Sequence, residues 1–356
     1  MALGGLGLAP SAQALPARAL AFPRDFGSHP GLRTEWWYLT GWAAARQEPQ
    51  RLFGFQLTFF RARVDAAQGL RSAFAARQLL FAHAALTDVQ GRRLWHDQRI
   101  ARAGFGVAEA DEADTAVRLR DWSLARTIDV GGRSRYRALL PAQDFTLDLA
   151  FDATQPVLPQ GEAGLSRKGP QAAQVSYYYS EPQLVANGAV TLRGQRFALA
   201  GVDHGRAWLD HEWSEELLHP EAVGWDWIGM NLQGGGALTA FRLRRRDGTA
   251  LWAGGSFRAG AQAATQVFGP ADVAFTPRRH WISAATGARY PVAWVVATPA
   301  GTFAAEALLD DQELDSRATT GAVYWEGLSD LHDAQGRAVG RGYLEMTGYA
   351  QPLRLG

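Results

Sequence analysis

Acid, base and indole crowd one short stretch of this sequence. WLDHEW places Asp210, His211 and Glu212 between Trp208 and Trp213, and GWDWIGMNL then sets Asp226 between Trp225 and Trp227. Indoles favour burial, whereas carboxylates and imidazoles resist it unless they are paired. If residues 203–213 are extended, His211 and Trp213 share one face, and Trp208, Asp210 and Glu212 share the other. In the second segment Asp226 shares its face with Ile228, Met230 and Leu232. Desolvation in such a row raises a carboxyl pKa and keeps the group protonated near neutrality, so it becomes a proton donor in an apolar pocket. The competing reading is a buried aspartate satisfied by backbone N–H groups at the end of a barrel, or one at a rim turn.

Two further clusters have the same flavour. In SHPGLRTEWWYLTGW, His29, Arg33 and Glu35 flank Trp36, Trp37 and Tyr38, with Arg33 placed to pair bidentately with Glu35 or Asp210. In VSYYYSEPQL, Tyr177 and Tyr179 share one face and Tyr178 takes the other. Phenols there either line an apolar cavity, each with one polar handle, or pack across strands. Trp36, Tyr38, Tyr177, Tyr179, Trp208, Asp210, Trp225 and Trp227 are the expected substrate-binding residues, and His211, Trp213 and Asp226 the expected catalytic ones. His204, Asp210 and His211 are the only metal-ligand candidates, and they lack a helical i, i+4 or strand His-x-His spacing, so no metal is expected. There is no G-x-S-x-G nucleophile motif and no phosphate-cradling glycine loop.

The elements that must position these groups are strands. In RLFGFQLTFF (51–60), Phe53, Phe55, Leu57 and Phe59 alternate with Gly54, Gln56 and Thr58, which reads as a half-buried strand. DFTLDLAFD (144–152), YPVAWVVATP (290–299) and GAVTLRGQRFALAGV (188–202), with a turn at Arg193–Gly194–Gln195, alternate likewise. Gln90–Gly91, Gly131–Gly132, Asn187–Gly188, Asp247–Gly248, Thr286–Gly287 and Gln335–Gly336 read as hairpin punctuation. SEELLHPE (214–221) carries a short helix signal, and the Gly-, Pro- and Gln-rich run 156–174 reads as a long loop. Many short strands at this spacing imply antiparallel barrels or sandwiches, and 356 residues suffice for two.

Composition narrows the function classes. A formal net charge of +1 without a long basic run gives nucleic-acid binding no electrostatic support. The absence of cysteine excludes thiolate catalysis and zinc–sulfur sites. Of the 36 lysine and arginine residues only Lys168 is a lysine, which reads as coding bias. No apolar run of about 18 residues is present, so no transmembrane segment is expected. LGGLGLAPSAQALPARALAFP has the small, apolar character of a signal-peptide tail, with SAQA as a cleavage signal near Ala14. The competing reading is a disordered Ala/Gly-rich tail.

Taken in order, HPGLRTEWWYLTGW, YYYSEP, GRAWLDHEW, GWDWIGMNL, YWEG (324–327) and GYLEMTGY (342–349) resemble the lipocalin-like family that contains carotenoid 1,2-hydratase and the AttH-like proteins described as secreted hydrolases. The resemblance runs from about Phe22 to Tyr349. It implies an all-β fold of two tandem lipocalin-like antiparallel barrels, with a signal remnant or disordered segment over 1–21, a first domain over 22–215 and a second over 216–356. It implies hydration of an isolated alkene without cofactor, or hydrolysis, of an isoprenoid, polyene or lipid-like molecule. It also implies a periplasmic or secreted location, with an ABC exporter as candidate partner. In the hydratase branch a His-x-Trp pair and a Tyr-x-Asp pair are implicated in catalysis. His211–Glu212–Trp213 matches the first, and Asp226 is the nearest candidate for the aspartate of the second. On that basis Asp226 donates the proton, Trp213 or Trp227 shields the cation, and His211 takes the proton of the attacking water. The alternative is a non-enzymatic periplasmic carrier of an apolar ligand, or a protein–protein adaptor in which the Trp-rich stretch seals the junction between the two barrels.

Overall fold

The computed structural model describes residues 15–202, 204–216 and 218–353. The segment SAQA lies outside them. Within them the chain forms two antiparallel sheets and, apart from two 3₁₀ turns at Arg24–Phe26 and Asp65–Ala67, no helix. The helix expected over 214–221 does not form among the described residues, because Pro220 and the short span between two strands leave an irregular link.

The first sheet has 14 strands. Its central order is Gln78–Asp88, Leu52–Arg63, Thr34–Ala44, Gly205–Ser214, Val175–Leu192 and Phe145–Asp152. It curls until its Gln78–Asp88 end lies against Ala116–Leu119 near the other edge, nearly closing a barrel. The second sheet has 10 strands, with Ala237–Arg244, Gly224–Leu232, Ala338–Met346 and Val323–His332 adjacent. These are the two tandem lipocalin-like barrels that the sequence motifs imply. Each surrounds its own apolar cluster, the first around Trp37, Phe55, Leu57 and Trp213, the second around Ile228, Met230, Trp294 and Met346.

Turn chemistry follows the sequence except at Asn187–Gly188. Arg193 and Gly194, both at positive φ, close the hairpin between Val175–Leu192 and Gln195–Ala198. Asn187–Gly188 instead lies inside the 18-residue strand Val175–Leu192. Gly188 has φ +109°, and a Cβ there would sit 2.2 Å from the Asp148 carbonyl oxygen. The glycine therefore allows a close strand approach rather than a turn.

The strand Leu52–Arg63 was expected to bury one face only. Both are buried: Phe53, Phe55, Leu57 and Phe59 face the first core, while Gln56 and Thr58 are covered as well. The cover is the second barrel. A Cβ on Gly54 would lie 2.8 Å from the Tyr343 hydroxyl and 3.1 Å from Leu328, so glycine permits the two sheets to meet there. Polar pins hold this junction. Gln183, at φ +59° in a register shift between Glu181 and Leu184, donates its backbone N–H to Asn231 Oδ1 at 2.7 Å, and Asn231 Nδ2 donates to the Ala207 carbonyl at 3.1 Å. Thr87 Oγ1 donates to Gln312 Oε1 at 2.9 Å.

Asp226 points into the second barrel. Its carboxylate accepts from Arg242 Nε at 2.7 Å and from the Tyr349 hydroxyl at 2.8 Å, with Arg244 Nε at 3.4 Å. Removing it strands two largely buried guanidiniums. Asp226→Ala should cost about 3–5 kcal/mol in urea unfolding, as is typical of breaking a buried ion pair. A loss below about 1 kcal/mol would show that the pair does not hold the barrel.

Candidate active site between the barrels

The opposing outer faces of the two sheets enclose a cavity of about 330 Å³. From the first sheet come Trp36, Tyr38, Thr58, Phe60, Phe81, His83, Tyr178, Asp210 and Glu212. From the second come Trp225, Trp227, Phe241, Tyr324, Glu326 and Glu345. The run 156–174, expected as a loop, forms its back wall. Leu158–Pro159 and Leu165–Arg167 pair with Val175–Leu192, and this wall contributes Lys168. The rim is half-buried, at Thr34, Leu218, Thr319, Thr320 and Leu353.

Alternation explains which groups arrive. Tyr38 pairs with Asp210 across strands, and Trp36 with Glu212, so all four project to the cavity side. Trp227 pairs with Glu345, which pairs with Glu326 on its other side. The Tyr38 and Trp227 rings meet edge to face at 5.4 Å. Asp210 accepts hydrogen bonds from the Tyr178 hydroxyl at 2.8 Å, Trp208 Nε1 at 2.7 Å and Ser180 Oγ. Glu212 accepts from Ser176 Oγ and pairs with Lys168 Nζ at 3.0 Å.

Burial here wins over hydrogen bonding. It pushes Asp210 up to about 7 despite three donors, with the Glu212 charge adding to the effect. It pushes Glu345 up to about 7 as well, against a hydrogen bond from Trp225 and helped by Asp210 and Glu212. Glu326, buried and facing Glu345, is held well above the ordinary carboxyl range. The Tyr38 hydroxyl, buried like Glu326, bonds with that carboxyl. The cavity is thus walled by aromatic faces and holds carboxyls that keep their protons well above the ordinary carboxyl range.

His83 supplies the opposite chemistry. Burial lowers its pKa to about 3, so the ring is neutral. Thr319 Oγ1 donates to Gln98 Oε1 at 2.7 Å, which leaves Thr319 to accept from His83 Nε2 at 2.8 Å. The Tyr324 hydroxyl then donates to His83 Nδ1 at 2.8 Å. The neutral His83 ring thus accepts from the Tyr324 hydroxyl and fixes that phenol at the cavity wall.

The expected residues divide among three places. Trp36, Tyr38, Asp210, Trp225 and Trp227 line the cavity. Trp208 supports it from behind through Asp210. His211, Trp213, Tyr177 and Tyr179 point into the first barrel, and Asp226 into the second. The structure therefore does not bring His211, Trp213 and Asp226 together. The apolar row of Asp226 is the second barrel's core, and two arginines, not a dry pocket, face the carboxylate. Arg33 pairs with the exposed Asp65 at 3.0 Å, and Arg61 takes the expected place beside Glu35 at 2.7 Å.

Inside the first barrel, Glu35 Oε1 accepts from His29 Nδ1 at 2.8 Å and meets His211 Nε2 at 3.0 Å, while Oε2 accepts from Arg61 Nε and Ser28 Oγ. Burial opposes ionisation of Glu35, but the hydrogen bonds from both imidazoles and the Arg61 charge outweigh it and hold its carboxyl well below the usual range. Burial drives His211 down to about 4. The three potential ligands His29, Glu35 and His211 lie within 4.8 Å of one another. Arg61 already supplies the counter-charge, and Glu35 has its acceptor sites filled, so the cluster reads as a closed polar network. His29 stacks on Trp213 at 3.9 Å. Over this end packs the chain from residue 15: Leu15 and Leu20 rest on the core, the Tyr177 hydroxyl donates to the Pro16 carbonyl, and Arg18 pairs with Asp25.

Glu326, Glu345, Tyr324, His83, Glu212 and Lys168 were not singled out as site residues. YWEG and GYLEMTGY did carry a usable signal, a glutamate alternating with aromatics or leucine on one face.

Two facing antiparallel sheets around an aromatic, acidic cavity define an all-β protein of lipocalin-like class. The chain belongs to the AttH-like family, whose model matches residues 13–349. The crystal structure of an AttH-type protein from Nitrosomonas europaea is 46% identical, covers 96% of this chain and 100% of its own, and superposes with a TM-score of 0.84. Kievitone hydratase of Fusarium solani subsp. phaseoli is 25% identical over 182 residues, 51% of this chain; the match spans about half of that relative's length. The structure of kievitone hydratase from Nectria haematococca shares the fold, with a TM-score of 0.71 over 94% of each chain at 15% identity.

Raised carboxyl pKa values have a stability signature. The unfolded chain ionises Glu345 near pH 4, the folded chain only near pH 7, so folding weakens as pH climbs through that window. Glu345→Gln removes the effect. Its stability relative to wild type should rise from about pH 4 to about pH 7, by a few kcal/mol at most, and level off above. Asp25 and Glu35, shifted downward, act in the opposite sense but equally in both proteins. Urea melts across this range give the difference, and a flat profile would place Glu345 in water.

Proposed function

We propose that the protein hydrates an isolated carbon–carbon double bond of a largely apolar small molecule held between the barrels. The observation that carries this reading is the set of buried carboxyls with raised pKa, Asp210 and Glu345 at about 7 and Glu326 above its ordinary range, in a cavity walled by Trp36, Tyr38, Trp225 and Trp227. A protonated Glu345 or Asp210 gives its proton to the less substituted alkene carbon, leaving a tertiary carbocation and a carboxylate. The indole and phenol faces stabilise the cation by roughly 0.5–2 kcal/mol per contact when water is excluded. Water then attacks the cation, and its surplus proton passes to the carboxylate, which restores the donor. The product is a tertiary alcohol, and alkene plus water balances. The hydratase name of a partial relative is in keeping with this chemistry. A periplasmic or secreted site of action rests on the signal-like N-terminal sequence, and a link to an exporter on the family resemblance; both belong to the proposal.

The test is turnover of terpenoid alkenes in H₂¹⁸O, followed by mass spectrometry. Hydration adds one labelled water to an intact skeleton, hydrolysis splits it, and a carrier returns it unchanged. The rate should fall as pH rises through about 7, where the donors lose their protons. Glu345→Gln and Asp210→Asn should each lower kcat by about 10²–10⁴-fold if the group is the donor, with binding retained. Full turnover in both variants would sink the reading.

A further inference from the structure

Lys168, the one lysine of the sequence, lines the cavity. Lys168 sits on the back wall with its side chain about 9% exposed, its backbone N–H fixed by the Gln174 carbonyl at 2.7 Å. Its ammonium contacts Glu212 at 3.0 Å and lies 4.6 Å from the Tyr178 ring centre and 4.5 Å from that of Phe241. Glu212 is its one oxygen partner among the described residues; the other contacts are aromatic faces. Elsewhere the sequence writes its side-chain cations as arginine. The compact ammonium lies between two rings and keeps N–H donors for a further acceptor. A hydrocarbon would leave the ammonium's remaining N–H donors unanswered.

We propose that Lys168 seats an acceptor oxygen of the substrate, so the molecule taken up is an oxygenated alkene with a carbonyl or hydroxyl group at one end, not a pure hydrocarbon. Glu212 already balances the lysine's charge, so an anionic head would meet an uncompensated carboxylate, and a neutral oxygen is the better fit. This deepens the hydration reading and rests on the same cavity.

Binding separates the two claims. Geranylacetone, a ketone with two trisubstituted alkenes, is compared by calorimetry with the hydrocarbon in which its C=O is CH₂. Wild type should bind the ketone at least about tenfold more tightly, the scale of a hydrogen bond to a charged group. Lys168→Met paired with Glu212→Gln should erase the preference by weakening the ketone alone. On unaltered protein, acetylation of Lys168, read on its peptide by mass spectrometry, should be slowed by the ketone and not by the hydrocarbon at equal occupancy. Equal affinities in wild type, no binding of either ligand, or unslowed acetylation would overturn the proposal. Ketone preference without turnover would keep it and sink hydration; turnover of both ligands with equal affinity would do the reverse.

Discussion

Desolvation of carboxyls between two sheets is the constraint on which the rest of the structure turns. A single lipocalin-like barrel leaves the outer face of its sheet in water, where Asp210, Glu212, Glu326 and Glu345 would ionise freely. Here two barrels press those faces together. Gly54 opposite Tyr343, and Asn231 bonded to Gln183 and Ala207, bring the sheets close enough to exclude solvent. The junction thus creates the site, and the acid chemistry is a consequence of tertiary packing rather than of any one residue type.

Among the described residues, charge balance tells three of the buried polar clusters apart. Around Asp226, two guanidiniums and a phenol answer one carboxylate. Around Glu35, Arg61 and two imidazoles answer another. In both, positive charge answers the carboxylate. Between the barrels, Lys168 pairs with Glu212, while burial raises Asp210, Glu326 and Glu345 above the ordinary carboxyl range. Uncompensated acids in an apolar setting are costly to stability, and they persist where chemistry uses them.

Much of this was legible in the sequence because β alternation is strict. The division of Asp210 and Glu212 from His211 and Trp213 followed from period two alone, as did that of Trp225 and Trp227 from Asp226. What alternation cannot say is what covers each face. Gln56 and Thr58 read as solvent-facing, and the Asp226 row read as a pocket wall, because nothing local announces a second barrel against the first. The 156–174 run read as a loop from its glycines and prolines, and Lys168 as an accident of coding, since its partners Glu212, Tyr178 and Phe241 lie 10 or more positions away. The same long range hid Glu326 and Glu345, whose adjacency exists only once their strands pair.

The most direct test is infrared spectroscopy of the folded protein near pH 6, where exposed carboxyls are ionised. The account predicts a carbonyl stretch from protonated carboxylic acids that fades as pH passes about 7 and loses part of its area in both Glu345→Gln and Asp210→Asn. A spectrum without that band, or one unchanged in both variants, would mean that the cavity's acids are ordinary carboxylates and cannot donate the proton on which the proposed chemistry depends.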